Sequence, residues 1–138
     1  MISKFDLAKA LLTKAQAIAD ANDYLLIKDG ESYKEDVNTA YIQEFCLYGD
    51  DNTIGLSASS HDIQFGIYQL NVNTPKSFAG AKWLGLNVAG VLQAGFSKAS
   101  QLEYNGQKVI INDSALQSMD IGTTHNTHIL SVNFSAIG

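Results

Sequence analysis

Three histidines, one cysteine and fourteen carboxylates are the side chains of this 138-residue chain that could hold a metal or move a proton. His125 and His128 are three apart in a segment that alternates like a strand. An odd separation sends them to opposite faces, so they cannot chelate together from one strand. No Cys, Asp or Glu lies close in sequence to complete a ligand set, and His61 stands alone at the start of another strand. Cys46 lies in the strand-like run Ile42-Gln43-Glu44-Phe45-Cys46-Leu47-Tyr48 and reads as a small buried hydrophobe. As the single cysteine, it excludes an internal disulfide. Glu31, Glu35 and Asp36, and then Asp50 and Asp51, fall in polar stretches where solvated carboxylates are expected. Asp50-Asp51-Asn52 lacks the spacing of a dedicated calcium loop. Ser57-Ala58-Ser59-Ser60-His61 lacks the Gly-x-Ser-x-Gly frame of a nucleophile elbow, and there is no phosphate-cradling glycine loop. The expectation is a non-enzyme with no metal, no cofactor and no catalytic residue.

The elements that would position these groups are legible from periodicity. Ser3 to about Ala21 reads as an amphipathic helix with Phe5, Ala8, Leu12, Ala15 and Ala19 in line, widened by Leu7, Leu11 and Ile18. Ser3 and Asp6 are placed like a capping box. Tyr24-Leu25-Leu26-Ile27 is a short strand ending at the turn Lys28-Asp29-Gly30. Thr39 to Tyr48 is a second strand. Gly49 to Ser60 reads as the extended tip of a hairpin, with Ile54 and Leu56 exposed in it as contact candidates. His61 to Asn73 is the longest strand. Ile63, Phe65 and Ile67 take one face and Tyr68, Leu70 and Val72 the other, so a bulge or a change of cover is expected near Ile67. Thr74-Pro75 ends it.

Ser77 to about Gly95 reads as a second helix, with a main stripe of Ala81, Leu84, Val88, Val91 and Leu92. A second patch holds Trp83 and Leu86 beside the small Ala79 and Gly90. Gly80, Gly85, Gly90 and Gly95 each weaken a helix by up to about 1 kcal/mol relative to alanine, which points to close packing against a neighbour. Leu102 to Ile111 is a hairpin about Asn105-Gly106. Asp113 to Gly122 holds another short strand, and His128 to Ala136 alternates as a C-terminal strand. The sum is a single α+β domain over residues 1–138.

Bulk properties narrow the function classes. The formal charge is −5 and the basic side chains are all lysines. Without arginine the chain lacks the usual bidentate reader of phosphate and guanine. The acidic balance also disfavours unspecific nucleic-acid binding. No run approaches the roughly 20 apolar residues of a membrane span. The N-terminus lacks a signal-peptide pattern, so a cytoplasm-like compartment and no membrane partner are expected.

The run Ile67-Tyr68-Gln69-Leu70-Asn71-Val72-Asn73-Thr74-Pro75, followed by Gly80-Ala81 opening a helix, resembles the tail terminators of long-tailed, non-contractile phages. This is the group of tail-completion proteins that includes minor tail protein U of lambda-like siphophages. Tyr68, Gln69, Asn71, Val72 and Pro75 carry the resemblance, and the order of elements matches along nearly the whole chain. The resemblance implies a mixed, mostly antiparallel sheet with two main helices packed on one face. It implies a virion structural protein at the head–tail junction, assembled in the host cytoplasm. It further implies a homo-oligomer, a hexameric ring that caps the tail tube and stops its polymerisation. The ring then meets a head-completion protein, and DNA passes through the lumen without sequence-specific binding. Six copies at −5 each would carry −30, which suits a bore that repels the phosphate backbone. A ring needs two different contact patches per subunit, and Ile54, Leu56, Trp83 and Leu86 are the candidates. The alternatives are another head–tail connector, a tail-tube subunit, or a small-molecule hydrolase or binding domain. The last would need convergent polar groups in a pocket.

Overall fold

The computed structural model describes residues 2–34, 36–54, 61–119 and 124–138. In order they form α1 (Lys4–Ala21), β1 (Leu25–Ile27), β2 (Tyr41–Ile54), β3 (His61–Pro75), α2 (Ala81–Gly95), β4 (Gln101–Tyr104), β5 (Gln107–Met119) and β6 (His125–Ile137). The six strands make one sheet in the order β1-β2-β3-β6-β5-β4. β1 runs parallel to β2 and the other pairings are antiparallel. This is the expected α+β architecture, with both helices on one face.

Alternation decides which side chains meet the helices. Tyr68, Leu70 and Val72 of β3 pair with Val132, Leu130 and His128 of β6, and all six are buried. They meet Leu7, Leu11, Ala15 and Ala19 of α1 and Val88, Ala89 and Leu92 of α2 in one core, closed by Phe96. Among the described residues no helix lies on the opposite face of the sheet.

Several boundaries differ from expectation. β2 does not end at Tyr48 but runs on to Ile54. The pairing with β3 slips between Tyr48 and Asp51, so the Gly49-Asp50 signal makes a bulge rather than a loop. Ile54 is therefore a strand residue opposite His61, while Leu56 lies outside the described residues. β3 keeps one register with β6 from Ile63 to Pro75, so no bulge resets its faces. Its two apolar sets lie on opposite faces: the helices cover Tyr68, Leu70 and Val72, while Phe65 and Ile67 stay exposed on the other. The segment after Asp113 is no separate strand but the continuation of β5 beyond a shift at Asn112.

The helices shift too. In α1 the buried line is Leu7, Ala10, Leu11, Ala15 and Ala19, and Phe5 is exposed. The Ser3 hydroxyl caps α1 by accepting the Asp6 N–H, but the Ser3 N–H donates to Gln107 Oε1, which ties the helix start to β5. α2 begins at Ala81, since Gly80 takes a left-handed φ of 66° that sets the turn into the helix. Its buried face is Ala81, Gly85, Val88, Ala89 and Leu92, leaving Leu84 and Val91 exposed. Asn105 and Gly106 have φ of 51° and 86°, the type I′ turn expected between β4 and β5.

Candidate functional site

The chemically capable side chains are placed as fasteners. The Tyr68 phenol donates to Glu44 Oε1 at 2.5 Å, and the Asp29 N–H donates to Glu44 Oε2 at 3.3 Å. Asp29 in turn accepts the Cys46 N–H at 3.0 Å. This chain of bonds stitches the loop after β1 to β2 and β3. Burial pushes the Glu44 carboxyl above its ordinary range, against the opposing effect of its hydrogen bonds. Burial likewise raises the Cys46 thiol to about 11, so it is no ready thiolate. Tyr68 is held well above its ordinary value by burial and then by the Glu44 charge.

His128 and His125 do fall on opposite faces, but both are buried. Nε2 of His128 donates to the Lys82 carbonyl at 3.1 Å, leaving Nδ1 to accept from the Ser118 hydroxyl at 2.7 Å. Burial lowers its pKa, which suits that neutral tautomer. It thereby pins the first turn of α2 to the sheet. Nε2 of His125 donates to the Thr39 carbonyl at 2.9 Å. Among the described residues no group of three or more His, Cys, Asp and Glu is placed to hold a metal. Nor, among the described residues, is any helix long and apolar enough to cross a membrane.

The residues that carry the resemblance are mostly framework. Tyr68 and Val72 are core, and Pro75 is buried at the end of β3. Gln69 and Asn71 lie on the helix-free face, joined by a 3.0 Å bond from Gln69 Nε2 to Asn71 Oδ1. Asn73 follows on the same face, accepting from the Thr127 hydroxyl at 2.7 Å.

Among the described residues, two apolar surfaces bear on the contact candidates. The first is the outer side of α2. Trp83 is 70% exposed there, and a shallow groove runs past it between Leu86, Asn87, Gly90, Val91 and Ala94. Trp83 and Leu86 thus share a surface as the spacing implied, and Trp83 is no core residue. The second is at one end of the helix-free sheet face. Leu47, Phe65 and Ile67 stand exposed around a trough of about 410 Å³, which Gly49, Gly66 and Asn133 also line. Leu47 pairs with Ile67 and Phe65 with Ser135, and Asn112 of β5 also lines it, so four strands build it. Ile137, at the end of β6, is exposed nearby opposite Ile63. Sequence reasoning did not single out this second surface. Its signal was the Ile63-Phe65-Ile67 alternation, out of phase with Tyr68-Leu70-Val72.

No protein-family model and no curated protein matches the chain. Solved structures do. One, whose name states no function, superposes with a TM-score of 0.76 at 18% identity, covering 99% of this chain and 96% of its own. Another belongs to the virion of a native gene transfer agent particle. It has a TM-score of 0.56 at 11% identity, over 96% of this chain and 93% of the other. The likeness is one of fold.

Proposed function

We propose that this chain is a virion structural protein of the tail-completion kind. It forms a ring on the end of a tail tube, stops the tube's growth and offers its other side to a head-completion protein. DNA passes through the lumen, and no residue acts catalytically. The observation that carries the reading is the near full-length fold likeness to a component of a gene transfer agent virion. The tail-terminator resemblance of Tyr68 to Pro75 supports it independently. So does the presence of two unlike apolar surfaces, one on the helix layer and one on the sheet layer. Unlike patches generate rings or open filaments rather than two-fold dimers. The test is reconstitution with the cognate tube protein. Adding this protein should give short tubes of fixed length with a six-fold cap. Binding along tube walls, or incorporation as a repeating tube subunit, would replace terminator by connector or tube subunit.

A further inference from the structure

We infer that neighbouring copies join sheet to sheet, the outer edge of β2 of one copy pairing antiparallel with the outer edge of β5 of the next. This contact rests on the ring reading above, and it needs only backbone groups. β1 covers β2 at Tyr41–Gln43, and the Asp29 carboxylate then takes the Cys46 N–H. From Leu47 to Ile54 the outer edge of β2 has no backbone partner among the described residues. β4 covers β5 at Gln107–Ile110, and the Ser100 carbonyl accepts the Ile111 N–H. From Asp113 to Met119 the outer edge of β5 has no backbone partner among them either. Unpaired N–H and C=O groups in a row are a template for another strand. Neither segment holds the lysine or proline that commonly blunts such an edge.

The sheet bends where the two edges change over. The β2 bulge at Tyr48/Asp51 and the β5 bulge at Ile111/Asp113 lie in one row across the sheet, through Gly66 and Phe134. Gln64 Nε2 holds the first bulge by donating to the Gly49 and Phe65 carbonyls, each at 2.7 Å. A Cβ on Gly66 would lie 2.5 Å from Phe134 Cζ and 2.6 Å from the Leu47 carbonyl oxygen, so the row closes tightly around it. Bulges and a glycine set in line curve a sheet. β1 sits on one side of this row and β4 on the other, which leaves the open segments at diagonal corners.

The two segments fit each other. With Leu47 opposite Met119 and Ile54 opposite Asp113, the extra residue of β2 is absorbed at its bulge. Tyr48, which reaches the Lys4 carbonyl on the helix side, then meets Ser118, which bonds His128 on the same side. Asp113 falls opposite Ile54, so it does not face Asp50 or Asp51 directly. In its own copy Met119 lies level with Tyr41, through Thr127 and Asn73. Meeting Leu47 of the neighbour instead steps each copy by about six residues, roughly 20 Å, over strands about 19 Å wide in all. That slope of about 45° is the strand tilt of a closed sheet, so repetition gives a ring.

The test is amide hydrogen exchange of the native chain, as dilute monomer and as rings on tube ends, read by mass spectrometry. Amides in Leu47–Ile54 and in Asp113–Met119 should both slow by at least about tenfold on assembly. A short bis-maleimide supplies a second readout in a Cys46→Ser background, with Leu47→Cys on one chain and Gln117→Cys on another, both at exposed positions. The mixture should give a crosslinked dimer that neither chain gives alone, and the doubly substituted chain a ladder ending at six. Rings in which either segment exchanges as in the monomer would overturn this contact and leave the ring standing. So would variant rings without the 47–117 product; where a variant forms no ring, the exchange of the native chain decides. Absence of rings from the native chain, with and without tubes, would overturn the proposed function and this contact with it.

Discussion

At the scale of single residues, the Glu44–Tyr68 pair has a pH signature. Burial holds the Glu44 carboxyl above its unfolded value. The folded state therefore binds the proton more readily than the unfolded chain does. That contribution to stability is complete at a pH below the unfolded pKa of about 4.3. It is lost as the pH rises through the raised folded value. Glu44→Gln removes this dependence, so the urea midpoint of the native chain should fall relative to the variant between pH 4 and pH 7. Tyr68→Phe leaves a buried carboxylate oxygen without its donor. It should cost about 1–3 kcal/mol, read from urea unfolding at neutral pH. Sequence composition alone gave no sign of this pair, because Tyr68 and Glu44 are 24 residues apart and meet only through the β2–β3 register. The histidines were readable in part. Their opposite faces followed from an odd spacing, but their burial depended on Lys82 and Thr39 reaching them from other elements.

At the scale of elements, the glycines of α2 separate by what lies opposite them. A Cβ on Gly85 would lie 2.8 Å from His128 Cδ2 and 2.9 Å from Thr74 Oγ1. Gly85→Ala should therefore destabilise the protein by about 1–3 kcal/mol despite the better helix propensity. A Cβ on Gly90 meets nothing within 4 Å. Gly90→Ala should raise stability by up to about 1 kcal/mol in the same thermal or urea melt. The helical spacing showed that such glycines needed a neighbour, yet only the fold tells which of them has one inside the subunit. The helix and strand order was legible because long periodic runs dominate it. The end of β2 was not, because Gly49-Asp50 signals a turn locally while pairing with β3 continues past it as a bulge. The start of α2 was misplaced for a related reason: Ser77 to Gly80 has permissible helix residues, but Gly80 takes the left-handed conformation.

At the scale of the whole molecule, the surfaces that matter are those the core leaves unused. Trp83→Asp and Phe65→Asp change exposed positions, so each should shift unfolding free energy by no more than about 0.5 kcal/mol. Each should nevertheless abolish ring formation, measured by native mass spectrometry or sedimentation. Loss of folding in either variant would place that side chain in the core, against its exposure. Imaging of tube ends tests the proposed tube-capping role most directly. Negative-stain micrographs of tail tubes grown with the protein should show a six-fold ring at one end and a narrow length distribution. Bare ends and unchanged lengths, with the protein left monomeric in solution, would contradict it.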